Sequence, residues 1–221
     1  MQIDNRRMTR RRRETRERLI DAAYAVFTEN GIRAARIEQI CDRAGYTRGA
    51  FYSNFASKED LFLAVYEQEM DARRDRLAKA IEDILAVEPP DRVADVPPLL
   101  ARIAVLFMDN LVADEDWYLL NAEFFAEALR RVDLRESADA AQGRFHDDLA
   151  RILDDALARL GMRLLVDARD AVQVIVSLYQ TALERALFEG IARPEDNRYV
   201  TDILPRALSG LIAPAGETPA P

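Results

Sequence analysis

The stretch IEQICDRAGYTRGAFYSNFASK, residues 37–58, decides how this chain folds. Ile37, Ile40, Cys41 and Ala44 recur at helical spacing and give one apolar face. Gly45 follows, and glycine takes the positive φ of a sharp turn without steric cost. Thr47 is a good N-cap for a second short helix. That helix carries Ala50, Phe51 and Phe55 on its inner face and Arg48, Gly49, Tyr52 and Ser53 on its outer face. A packed helix, a glycine turn and a helix with a cation-bearing outer face make a helix-turn-helix. Apolar spacing alone fits any helix pair; the turn, the cap and the outer-face chemistry narrow the choice.

Working outward, residues 15–30 predict a helix with Leu19, Ala22, Ala23, Val26 and Phe27 as its buried stripe. Asn30-Gly31 is its stop signal. On the other side Ser57 caps a longer helix, with Asp60 three residues on as its capping partner. Leu61, Phe62, Val65, Tyr66 and Met70 continue an apolar face, and the pattern runs to about Val87. Residues 1–14 hold Arg6, Arg7 and Arg10 to Arg13 without a core-forming pattern, and read as a flexible basic arm; Met8 is a second candidate start. Such an arm either follows phosphates beside the helix-turn-helix or serves as a solubilising tail.

The chain has 221 residues, 49% of them hydrophobic, enough for a sizeable core. Its net charge of -8 is unevenly spread. Residues 1–58 carry 13 Arg and Lys against 7 Asp and Glu, a net +6, so the remainder carries -14. A basic first quarter on an acidic body fits a polyanion-binding head joined to a part with another task. No apolar run reaches the roughly 20 residues of a membrane span, and the N-terminus is Arg-rich rather than apolar. With a single cysteine, Cys41, there is no intrachain disulfide, and a cytoplasmic location is expected.

Residues 88–98, EPPDRVADVPP, hold four of the nine prolines and mark the clearest break in regular structure. Helical patterns follow near 99–113, 116–131, 134–160, 167–190 and 195–212. Gly161 and Gly190 fall where helices should stop, and Pro205 should kink the last one. No strand-like alternation of useful length is visible, and residues 213–221 read as a disordered tail. The expected fold is all-α, divided into the arm (1–14), a three-helix head (15–62), a larger helical body (63–212) and the tail.

The head resembles the DNA-binding domain of the TetR family of bacterial transcriptional regulators. The residues that carry the likeness are Ala22-Ala23, Phe27, Asn30-Gly31, Ile40, Ala44-Gly45, Thr47-Arg48-Gly49-Ala50-Phe51-Tyr52, Phe55, Lys58-Glu59 and Leu61. The resemblance implies a homodimer whose heads bind successive major grooves of a near-palindromic double-stranded operator, most often a repressor released by a small effector. It also implies that the third helix enters the groove, Gly49 allowing close backbone approach and Arg48 either reading a guanine edge or meeting a phosphate. Thr47, Tyr52 and Lys58 would meet phosphates, and Ser53 a base or a water. Arg36 departs from the pattern, standing where family members often carry a capping Ser or Thr; it would reach a phosphate instead.

In the body, residues 171–178 are apolar nearly all round a helix, with Gln173 and Ser177 the exceptions, so this helix needs covering on more than one side. Residues 167–190 and 195–212 resemble the family's dimerisation pair. An apolar effector pocket has candidates in Phe107, Met108, Trp117, Tyr118, Asn121, Phe124, Phe125, His146 and Tyr179. Each aromatic at helical spacing is equally a core residue, and His146 reads either as a ligand-orienting group beside Arg144 or as a surface histidine. One histidine and one cysteine, well separated, offer no metal cluster or Cys–His pair, and no Gly-rich phosphate loop occurs. An enzyme, a cofactor and a bound metal are therefore not expected. The competing reading is a helix-turn-helix protein acting through a protein partner, without an effector.

Overall fold

The computed structural model describes residues 10–87, 115–190 and 198–216. Helix α1 spans Arg10–Ala34, α2 Ile37–Ala44, α3 Arg48–Tyr52 and α4 Lys58–Val87. Then come α5 at Glu115–Arg130, α6 at Val132–Arg159, strand β1 at Met162–Leu164 and α7 at Ala168–Glu189. A π-helical turn, Tyr199–Ile203, leads into α8 at Leu204–Gly210, and strand β2 follows at Ile212–Pro214. The all-α class holds. The proline-rich stretch and the pattern near 99–113 lie outside the described residues.

The start of α1 corrects the expected arm boundary. The helix begins at Arg10, so residues 10–14 are helical rather than part of a flexible segment. Ion pairs one turn apart, Arg10 with Glu14 and Arg13 with Glu17, run along it, and the Thr15 hydroxyl donates to the Arg11 carbonyl. Residues 1–9 lie outside the described residues. At the other end, Gly31 has φ 75° and ψ 159°, a region open essentially to glycine alone. The regular helix stops there, as Asn30-Gly31 predicts, and one further turn at residues 32–34 follows. Asn30 Nδ2 donates to the Val26 carbonyl at 2.9 Å.

By their contacts the residues form two compact units, Met1–Glu69 with Ala113–Ala141, and Met70–Val112 with Gln142–Pro221. The first unit buries Leu19, Ala23, Phe27, Ile40, Phe51, Phe55, Leu61 and Phe62 almost completely. Helix α5, counted with the body on sequence grounds, packs here with the head helices. Trp117 on α5 stacks with Tyr24, Phe62 and Tyr66 at 6.0–6.2 Å between ring centroids. Phe124 sits 4.5 Å from Phe62, and Phe125 meets Tyr66 edge-on. Aromatic pairs at such distances add about 0.5–1.5 kcal/mol each beyond their buried area.

In the second unit, Leu77, Ile81 and Leu85 of α4 are buried, as are Leu149, Ala156 and Leu157 of α6. Helix α7 buries Ala171, Val172, Ile175, Val176, Tyr179, Ala182, Leu183 and Ala186. Its Asp167 cap accepts from the Arg169 amide, and Gly190 ends it in the left-handed conformation. Pro205 falls in the first turn of α8, where its missing N–H costs little, and the π turn just before it absorbs the break.

A short antiparallel ribbon revises the tail. Met162 stands opposite Pro214, Arg163 opposite Ala213 and Leu164 opposite Ile212. The amides of Leu165 and Ala215 extend the ladder by donating to Leu211 and Gly161, each at 2.8 Å. Residues 213–216, expected to be disordered, are thus ordered by this pairing. Three-residue strands are too short to show a period of two, and their partners lie some fifty positions apart, so no local signal announces them.

Candidate nucleic-acid interface

Helix α2 is positioned by Ile40, Cys41 and Ala44, all buried, and ends at Gly45 with φ 72° and ψ 34°. Arg36 is its N-cap and offers no side-chain acceptor; Gln39 Oε1 takes the Arg36 amide at 2.9 Å instead. Half of a capping box therefore replaces the missing hydroxyl, and the Arg36 side chain stays exposed. Thr47 caps α3 as expected, its Oγ1 accepting the Ala50 amide at 3.3 Å.

Helix α3 has only five residues, too few to hold itself together, so its neighbours fix it. Phe51 and Phe55 anchor it from inside, fully buried and 6.0 Å apart. The carbonyls just past its C-terminus receive cations from α1: Arg12 Nη2 reaches the Ser53 carbonyl at 3.2 Å and Arg16 Nη1 the Asn54 carbonyl at 3.4 Å. The Arg16 guanidinium also lies 4.4 Å above the Phe55 ring. These two arginines brace the end of α3, although the sequence assigns Arg12 to a flexible arm and does not single out Arg16; their i, i+4 spacing on α1 is the available signal. Asn54 Nδ2 and Ser53 Oγ both donate to the Ala50 carbonyl, so Ser53 is engaged within the helix end.

What remains outside is Arg48, Gly49 and Tyr52. All three are exposed, with Tyr52 packed edge-on against Phe51. Arg48 pairs with Glu38 at 2.8 Å, and its guanidinium lies 5.9 Å from the Tyr52 ring centroid. The Tyr52 hydroxyl and Glu38 both hold the Arg48 proton more firmly than usual. This pair is solvent-exposed, so exchanging Glu38 for another acceptor costs little. Lys58 is differently placed. Its ammonium donates to the carbonyls of Arg33 and Ala35 at 3.0 and 2.9 Å, leaving one hydrogen for an outside acceptor. Cys41 is buried, and desolvation pushes its thiol upward, with Asp42 and Glu38 adding to the shift. That is the opposite of a reactive thiolate.

The pocket candidates fall in both units. Trp117, Phe124 and Phe125 belong to the aromatic cluster of the first unit, with Tyr118 half-buried beside them in sequence. Asn121 Nδ2 donates to the Trp117 carbonyl at 2.8 Å. His146 and Tyr179 are buried in the second unit. Phe107 and Met108 lie outside the described residues. The surface alternative for His146 is corrected: the residue is 5% exposed, and desolvation, then the Arg169 charge, hold its imidazole below the ordinary range against the pull of Asp147. Among the described residues no cluster of metal-ligating side chains occurs, and no helix is long and apolar enough to cross a membrane.

Residues 19–65 match the family profile described as bacterial regulatory proteins, tetR family. The HTH-type transcriptional activator FasR of Mycolicibacterium smegmatis is 43% identical over 60 residues, 27% of each chain. The chain spans about a quarter to two-fifths of the length of the curated relatives it matches. Solved structures extend the likeness in fold. A TetR-family regulator from Mesorhizobium loti aligns over 93% of this chain and 99% of its own, with a TM-score of 0.66 at 20% identity. The regulator FadR of Bacillus subtilis, in complex with stearoyl-CoA, aligns over 87% and 95%, with a TM-score of 0.59 at 19% identity. In sequence, the helix-turn-helix is thus similar to that of the tetR family of bacterial regulatory proteins, and in fold the chain is similar to TetR-family regulators.

Proposed function

We propose that this protein is a sequence-specific DNA-binding transcriptional regulator. In this reading residues 15–62 are the DNA-binding head and residues 63–212 form an effector-binding and dimerisation body. It acts as a homodimer on a near-palindromic operator and is released, as a repressor, by a small apolar effector. Gly49 carries the DNA-binding part. Its φ is not positive, and a Cβ built there would meet only Thr47 Oγ1, at an ordinary 3.7 Å. Folding therefore does not ask for glycine at this exposed position of α3, where it costs about 0.5–1 kcal/mol relative to alanine. The reason lies outside the chain: a surface that must approach the backbone closely, between a guanidinium and a phenol suited to bases and phosphates.

Gly49→Ala separates the two demands. The head should gain about 0.5 kcal/mol or more in thermal or urea unfolding, while affinity for a duplex enriched by the wild-type protein from a randomised library falls. Undiminished affinity in the variant would refute the close-approach role. The dimer is supported by the exposed apolar side chains of α7, and the apolar effector by the aromatic content of α5 and by the acyl-CoA held by the B. subtilis structural neighbour. A thermal-shift screen with fatty acyl-CoAs and other apolar compounds tests the latter. A binder that also abolishes duplex binding supports release by effector.

A further inference from the structure

The turn between α1 and α2 is gripped from two sides. Glu123 of α5 accepts the amides of Ile32 and Arg33 at 2.9 and 2.8 Å, one on each carboxylate oxygen. These amides open the short turn after Gly31, whose first hydrogen bond runs from the Ala35 amide to the Gly31 carbonyl. Helix-start amides have no partner within their own helix, and a carboxylate also meets the positive end of the peptide dipoles. Glu123 therefore caps this turn from some ninety residues away. On the opposite side Lys58 holds the carbonyls of Arg33 and Ala35. One residue on, Glu59 pairs with Arg131 at the end of α5, at 3.2 Å.

Gly31 is fitted to the same contact. A Cβ there would stand 3.1 Å from Glu123 Oε2, and the φ of 75° disfavours any side chain. The turn runs directly into Arg36, the cap of α2, and α2 carries α3 through Gly45.

We propose that Glu123 is a positioning residue for operator recognition, fixing α2 and α3 by clamping the Ile32 and Arg33 amides from α5. The proposal rests on the DNA-binding reading above. A glutamine in place of Glu123 offers one acceptor oxygen and turns an amide N–H toward the other donor, so it breaks the fork with little change in size.

The experiment compares wild type, Glu123→Gln, Gly31→Ala and the double variant, with Glu123→Ala as a second single change should the glutamine form not fold. Amide hydrogen exchange by NMR is read at Ile32 and Arg33. Affinity is measured for the duplex enriched by wild type from a randomised library and for an unrelated duplex. Expected is roughly tenfold faster exchange at those two amides and roughly tenfold weaker binding to the enriched duplex, with affinity for the unrelated duplex and its salt slope unchanged. The two single changes should combine less than additively, because they act on one contact. Unchanged exchange at Ile32 and Arg33 overturns the clamp. Faster exchange with full operator affinity, or equal losses on both duplexes, overturns its role in recognition. If wild type enriches no sequence, the DNA-binding reading fails and the recognition role with it, while the exchange data still decide whether the clamp exists.

Discussion

The two compact units bury similar material and leave different material outside. In the first, α3 keeps Phe51 within and shows Arg48, Gly49 and Tyr52, a surface that water satisfies when nothing is bound. In the second, α7 buries one apolar face and shows a mixed one that includes large apolar side chains. Val174 is 44% exposed and Phe188 79%, on a face that also holds Ser177, Leu178, Thr181 and Arg185. A polar outer face can wait for its partner in solution, whereas a large exposed ring such as Phe188 gains from cover, which in the proposed dimer a second copy of the same helix would supply symmetrically. In the proposed reading the head makes the reversible contact and α7 the standing one.

Phe188→Glu should break this contrast most strongly. An isologous contact counts each side chain twice, so burying charge in place of the ring costs on the order of 3–6 kcal/mol of dimer stability. Sedimentation should then show the 25.1 kDa monomer at micromolar concentration, whereas an unchanged mass would take Phe188 out of the interface. Arg48→Ala tests the other face. Preference at one operator position should relax by about 1–3 kcal/mol in a binding-site selection, and intact selectivity would leave Arg48 as a phosphate contact only.

The interior of the second unit should respond to acid. His146 is held neutral below its ordinary value of 6.5, so the unfolded chain binds the proton more readily. Its contribution to stability is therefore full above that value and declines as pH falls below it, by at most about 1.4 kcal/mol per pH unit. Melting curves between neutral and mildly acidic pH should show this decline in wild type and a shallower one in His146→Gln. Parallel curves would place the acid sensitivity elsewhere. The smallest effect is expected from Lys58→Ala, which should flatten the salt dependence of operator binding by roughly one unit. Weaker binding with an unchanged slope would assign Lys58 to bracing the Arg33 and Ala35 carbonyls alone.

Much of the head is legible in the chain order because its determinants are local. Gly45 and Thr47 act on their own turn and cap, and Phe51 and Phe55 sit at helical spacing. The long helix from Ser57 to Val87 could be read from a cap and a period. The candidate site was only partly legible. Arg48, Gly49 and Tyr52 announce themselves by residue type, but Arg12 reads as a member of a basic arm and Arg16 as one more surface charge of the first helix. Only packing shows that they hold the end of α3.

By itself, the sequence determined the helical class, the helix-turn-helix with its two faces, and the stops at Gly31, Gly45, Gly161 and Gly190, since caps, turns and periodicity act within a few residues. Tertiary structure alone decided that α5 packs with the head, that His146 is buried, that Met162–Leu164 pairs with Ile212–Pro214, and that Glu123 caps the turn at Ile32 and Arg33. Each of these joins groups far apart in the chain, and in the last two the partners include backbone amides. Every residue but proline carries such an amide, so residue type says nothing about which one will be chosen.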